Sequence, residues 1–95
     1  MDLSTYLQQN QNINNSPSEE HSLLVESVIS KSKIIGVPQP MQVFREVGLF
    51  CSGVLRGIAD VIFLPTKFRP YIVECKTVLT DVYEHYRNTR KEVNE

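Results

Sequence analysis

The spacing of apolar residues changes several times along this chain, and each change marks an element. Residues 1–17 are rich in Gln, Asn and Ser and repeat no apolar period, which predicts a flexible polar tail with at most a transient helical turn in DLSTYL. After Pro17, Leu23, Leu24, Ser27 and Val28 follow i, i+1, i+4, i+5 spacing with Ile29 nearby, the stripe of an amphipathic helix. Ser16 or Ser18 can cap it, Glu19 and Glu20 suit its positive end, and Gly36, Pro38 and Pro40 stop it. The pattern then turns to strands. MQVFREVGLF (41–50) reads as the first, Cys51-Ser52-Gly53 as a turn, and VLRGIADVIFL (54–64) as the second, bent at Gly57. Pro65 and Pro70 bound a polar loop before YIVECKTVL (71–79), whose continuous apolar start predicts a central strand covered on both faces. Thr80 and Asp81 can cap a last helix reaching residue 95, with Val82, Tyr86 and Val93 toward the sheet. The predicted order is αβββα, without internal repeats.

Ninety-five residues suit one small domain. The composition is globular, so the expectation is a tail over 1–17 and a domain over 18–95. The formal net charge of −1 conceals an asymmetry. Residues 1–30 carry four acidic side chains and no Lys or Arg, while residues 31–95 carry ten Lys and Arg against seven acidic. So small an excess excludes a broad electrostatic grip on nucleic acid. Two cysteines, Cys51 and Cys75, are too few for a disulfide scaffold, and reduced thiols are expected. With no apolar run of signal or membrane length, a soluble, intracellular protein is expected, cytoplasmic or nuclear.

Against this background the charges in the strands stand out. Asp60 lies inside IADVIF, and Glu74 and Lys76 lie two apart in YIVECKT. Side chains alternate along a strand, so Glu74 and Lys76 share a face and Cys75 takes the other. If the second and third strands are neighbours, Asp60 can approach that face. Two carboxylates and an ammonium would then converge, an arrangement suited to a hard divalent cation such as Mg2+, with Mn2+ as a substitute. Asp60 and Glu74 would supply carboxylate ligands and the Cys75 backbone carbonyl a further oxygen. Lys76 would orient the attacking water or offset developing negative charge. Such a set serves phosphodiester hydrolysis.

These residues resemble the PD-(D/E)XK nuclease superfamily, which includes restriction endonucleases, RecB-type nucleases and archaeal Holliday-junction resolvases. The pattern reads G-I-A-Asp60, thirteen residues, then Glu74-Cys75-Lys76, and Gly57 and Thr77 are most similar to the RecB-type branch. The resemblance covers residues 18–92 and implies an αβββα restriction-endonuclease-like core, with a mixed central sheet flanked by helices. It implies DNA as substrate, with RNA left open, and an acidic residue of the first helix near the metal: Glu20, or next Glu19. Ala59 stands where the family usually has proline, and YEHYRNTR where RecB-type enzymes carry a glutamine-and-tyrosine motif. The superfamily usually adds a further strand and helix, so a core truncated at its C-terminal side, or completed by a partner chain, is expected.

Plainer readings compete at each position. Glu74 and Lys76 can form a solvated pair, and Asp60 can cap a turn. Together, three charges within apolar strands sacrifice burial, which favours the metal-site reading. Glu46 could face the same cleft, although a solvated face is the expectation. His21 and His85 lack metal-ligand spacing and read as surface residues. Lys67, Arg69, Arg87, Arg90 and Lys91 are candidates for phosphate contacts or simply the wet side of their elements. An uncovered sheet edge makes a homodimer or larger complex plausible. The rival function is a nuclease-fold module without catalysis, binding nucleic acid or a protein partner.

Overall fold

A computed structural model describes residues 2–13, 16–76 and 87. Two helices, α1 (Leu3–Gln9) and α2 (Glu19–Ser30), precede three strands, β1 (Met41–Cys51), β2 (Val54–Pro65) and β3 (Tyr71–Val73). The strands form an antiparallel sheet in the order β1-β2-β3, so β2 is central. The result is a small α/β unit. Where a mixed sheet was expected, every pairing among the described residues is antiparallel.

The β1–β2 hairpin closes through Ser52 and Gly53, both at positive φ (52° and 77°), with Cys51 paired to Val54. Two positive-φ residues give the turn a twist that matches the strands, and glycine takes one of them without steric cost. Next to this turn the register slips by one: Phe50 faces Leu55, but Leu49 faces Gly57, leaving Arg56 as an extra residue on β2. The bend expected at Gly57 is therefore a bulge beside it.

α2 is capped by Ser18, whose side chain accepts the His21 amide at 3.1 Å. It packs with Leu24, Val25, Val28 and Ile29 against Val61, Phe63 and Cys75. Leu23, assigned to the stripe from its spacing, is instead 64% exposed. The buried face is turned by one residue, and that places His21, four before Val25, toward the sheet.

The amino-terminal stretch departs most from expectation. Residues 3–9 form α1, capped by Asp2, whose carboxylate accepts the Thr5 amide at 2.7 Å and is held below the usual carboxylate range by that bond. Leu7 is buried with Phe44, Val47, Ala59 and Ile62, so α1 and α2 sandwich the sheet. Beyond α1 the chain follows β1. Gly48 N–H donates to Asn10 O, Asn12 N–H to Arg45 O and Ile13 N–H to Glu46 O. The Tyr6 hydroxyl donates to Gly48 O and accepts the Phe50 amide. Composition alone suggested a flexible tail. A few apolar residues and a row of unpaired strand groups suffice to order it.

β3 is shorter than the predicted 71–79 and is not covered on both faces. Its ladder ends at Val61–Val73, and Tyr71 and Ile72 are exposed. The predicted helix over 80–95 lies outside the described residues, apart from Arg87. No helix among the described residues is long and apolar enough to cross a membrane.

The docking of α1 depends on Leu7, so Leu7→Ala should cost about 2–4 kcal/mol in a urea titration. A loss well below 1 kcal/mol, small for a buried leucine, would mean that α1 does not contribute to the core.

Candidate metal centre

Strict alternation would place Phe44 and Val47 on opposite faces of β1, and Ala59 and Ile62 on opposite faces of β2. All four instead pack on the α1 side around Leu7. The frame therefore shifts within each strand, at positions that face one another. Glu46 has a φ of 49°, in the left-handed region, while its neighbours Arg45 and Val47 pair with Val61 and Ala59. For a glutamate this conformation costs roughly 1 kcal/mol or more. Its effect is to turn two consecutive residues of each strand toward α2. Arg45 reaches Glu26, Glu46 and Asp60 reach His21, and Val61 joins Val25.

Glu46 and Asp60 are both buried, and each lies between the Arg45–Val61 and Val47–Ala59 pairs on its own strand. His21 Nε2 stands 3.0 Å from Glu46 Oε1 and 3.2 Å from Asp60 Oδ1. A donor atom from each of the three residues lies within 4.8 Å of the other two. Two ionised carboxylates this close repel, and a hydrogen-bond donor or a cation between them relieves that repulsion. Beside this cluster, the Arg45 guanidinium makes a two-pronged ion pair with Glu26, Nε to Oε1 at 2.8 Å and a terminal nitrogen to Oε2 at 3.2 Å. That pair lowers the Glu26 carboxyl below its ordinary range and raises Arg45.

The remaining Asp60 oxygen is also engaged: Oδ2 accepts the Cys75 backbone amide at 2.7 Å. This bond draws residues 74–76 beside the site once the β3 ladder has ended. Cys75 turns inward, and Glu74 and Lys76 are exposed on either side. Burial pushes the Cys75 thiol up to about 11, assisted by the negative charges of Asp60, Glu74 and Glu46 and opposed by Lys76.

Of the residues singled out from sequence, the structure brings Asp60 into the cluster with two others. Cys75 joins through its amide rather than its carbonyl. Glu74 and Lys76 flank the cluster with exposed side chains. Glu20 and Glu19 are exposed on α2, and His21 takes the place expected of them. His21 was read as a surface residue and Glu46 as solvated; both face the cleft. Lys67 and Arg69 are exposed in the β2–β3 loop, which lines a depression with Leu3 on the α1 side of the sheet. Arg87 is exposed, while Arg90, Lys91 and His85 lie outside the described residues. One signal for His21 was available: it precedes Leu24, Val25 and Val28 by three, four and seven residues, the spacing of one helical face.

No family model matches this chain, and no curated protein or solved structure matches it.

Two thiols with such different surroundings should behave differently. In the folded protein at pH 8 a disulfide reagent should titrate exposed Cys51, with Cys75 reacting only on unfolding. Because the folded Cys75 value of about 11 lies above the ordinary 9.0, its stabilising contribution is complete below pH 9. It declines as the pH rises toward 11. Cys75→Ala should flatten that alkaline loss in denaturation curves; an unaltered curve would contradict the assignment.

Proposed function

We propose that the chain is a divalent-metal-dependent phosphodiester hydrolase acting on nucleic acid, with DNA the first substrate to test. The observation that carries this reading is His21 Nε2 set against two buried, facing carboxylates, Glu46 and Asp60. The donor set fits a metal. One imidazole nitrogen and two carboxylates would hold Mn2+ at least as well as Mg2+, which favours an all-oxygen shell. A cation bound there lowers the pKa of a coordinated water and offsets charge on a phosphate.

The chain's own residues prepare that site. The Cys75 amide fixes Asp60 through Oδ2 and leaves Oδ1 toward His21. Glu46 is held from the opposite strand. In this reading Lys76, exposed next to Cys75, would orient the nucleophilic water or neutralise the leaving oxygen, and Glu74 would add a carboxylate to the cation. Support comes from the common charge environment felt by Cys75 and from the Asp60…Glu74-x-Lys76 pattern.

A second reading is favoured by one feature. His21, Glu46 and Asp60 already satisfy one another, as a structural network in a non-catalytic nucleic-acid or protein-binding module would. Calorimetry with Mn2+ and Mg2+ separates the two. The hydrolase should bind Mn2+, and Asp60→Asn or His21→Ala should weaken binding by about tenfold or more. On single-stranded, duplex and branched DNA, and on RNA, Lys76→Ala should slow Mn2+-dependent cleavage by about 10²-fold or more with unaltered metal affinity. Cleavage that persists in Asp60→Asn would remove the proposal.

A further inference from the structure

We infer that the amino-terminal arm, Asn10 to Ile13, positions Glu46 and so sets the affinity of the metal centre; the affinity part rests on the metal reading above. Three observations converge on it. The arm's amides meet β1 at the two residues where the side-chain frame shifts, Asn12 N–H to Arg45 O at 2.8 Å and Ile13 N–H to Glu46 O at 3.0 Å. Gly48 N–H returns a bond to Asn10 O at 2.8 Å, which brackets Glu46 on both sides. Asn12 itself is left-handed (φ 59°), so arm and strand each contribute one such residue to the same junction.

The arm also shapes the approach to the site. A cavity of about 150 Å³ opens against Glu46. Asn12 and Pro17 line it together with Ser22, Val25 and Glu26 of α2 and with Arg45. Gly48 keeps the arm close, since a Cβ there would lie 2.8 Å from Ile13 Cδ1. Without the arm, Arg45 and Glu46 lose their outer hydrogen bonds, and nothing else described on that edge holds Glu46 in its unusual conformation. Glu46 is then free to return to ordinary strand geometry, which carries its carboxylate away from His21. Asn12 and Ile13 are thus positioning residues: they touch the backbone of a ligand rather than the metal.

Asn12 is exposed, so replacing its side chain removes no core packing, which gives a clean test. Valine cannot hold a φ near 59°, whereas glycine does so freely. Asn12→Val should lower Mn2+ affinity by about tenfold, the effect expected of groups that orient a ligand. Asn12→Gly should bind as the unmodified chain does, and far-ultraviolet circular dichroism should show both variants folded. The nitrogen shifts of the His21 ring report the same coupling without metal: Asn12→Val should move them, and Asn12→Gly should not. Unmoved His21 signals in a folded Asn12→Val protein overturn the role of the arm, as does unchanged Mn2+ affinity where the unmodified chain binds Mn2+. If the shifts move but the unmodified chain binds no Mn2+, the arm still positions Glu46 and the metal reading alone fails. Should Asn12→Val not fold, Gly48→Ala, which pushes against Ile13, is read by the same two measurements with the same outcomes.

Discussion

Two carboxylates held face to face inside an antiparallel sheet organise much of this molecule. Glu46 and Asp60 occupy positions where a strand ordinarily places residues that can coexist with apolar neighbours. Each is buried, and each repels the other. The surrounding structure answers that repulsion from three directions. α2 brings His21 between them, the chain after β3 offers the Cys75 amide, and the residues before α2 brace the strand from outside. A single ring nitrogen stands against two carboxylates, whereas a divalent ion could satisfy both at once. Retaining so costly a pair is easier to understand in a protein that uses it than in one that merely tolerates it.

Register is the means by which the pair is made. Counting outward from Ser52-Gly53, an uninterrupted hairpin would set Glu46 against Ala59. The extra residue Arg56 shifts the pairing by one, so that Arg45 pairs with Val61 and Val47 with Ala59, and Glu46 and Asp60 come between those pairs. The left-handed turn at Glu46 then brings its carboxylate to the α2 side, where His21 also meets Asp60. Two local irregularities gather the acidic side chains of a plain β-ribbon into one cluster. Irregular strand geometry of this sort is commonly found where side chains must be aimed.

The strands and the turn between them were legible because alternation, Gly53 and the prolines are local signals. Asp60 was legible because a charge within IADVIF conflicts with its surroundings. Helix α2 was also readable, but its buried face was assigned one residue out, and this hid His21. Glu46 was hidden for another reason: a bulge and a positive φ at a non-glycine residue leave no mark in composition. The amino-terminal helix was missed because its order comes from β1, more than thirty residues away in the chain, rather than from its own propensity. Glu74 and Lys76 were assigned a shared face on the premise of a strand over 71–79, but the ladder ends at Val73, and this stretch meets the site through the Cys75 amide rather than through strand pairing.

The order of these elements along the chain has a consequence for biosynthesis. The Tyr6 hydroxyl and its partner Gly48 are separated by 42 residues, with the covering segment translated first. When β1 leaves the ribosome, the piece that will blanket its outer rim is already available. A nascent hairpin otherwise presents bare amides and carbonyls to every neighbouring polypeptide, a common route to aggregation. Here the chaperone for that rim is built into the same polypeptide, upstream of what it protects.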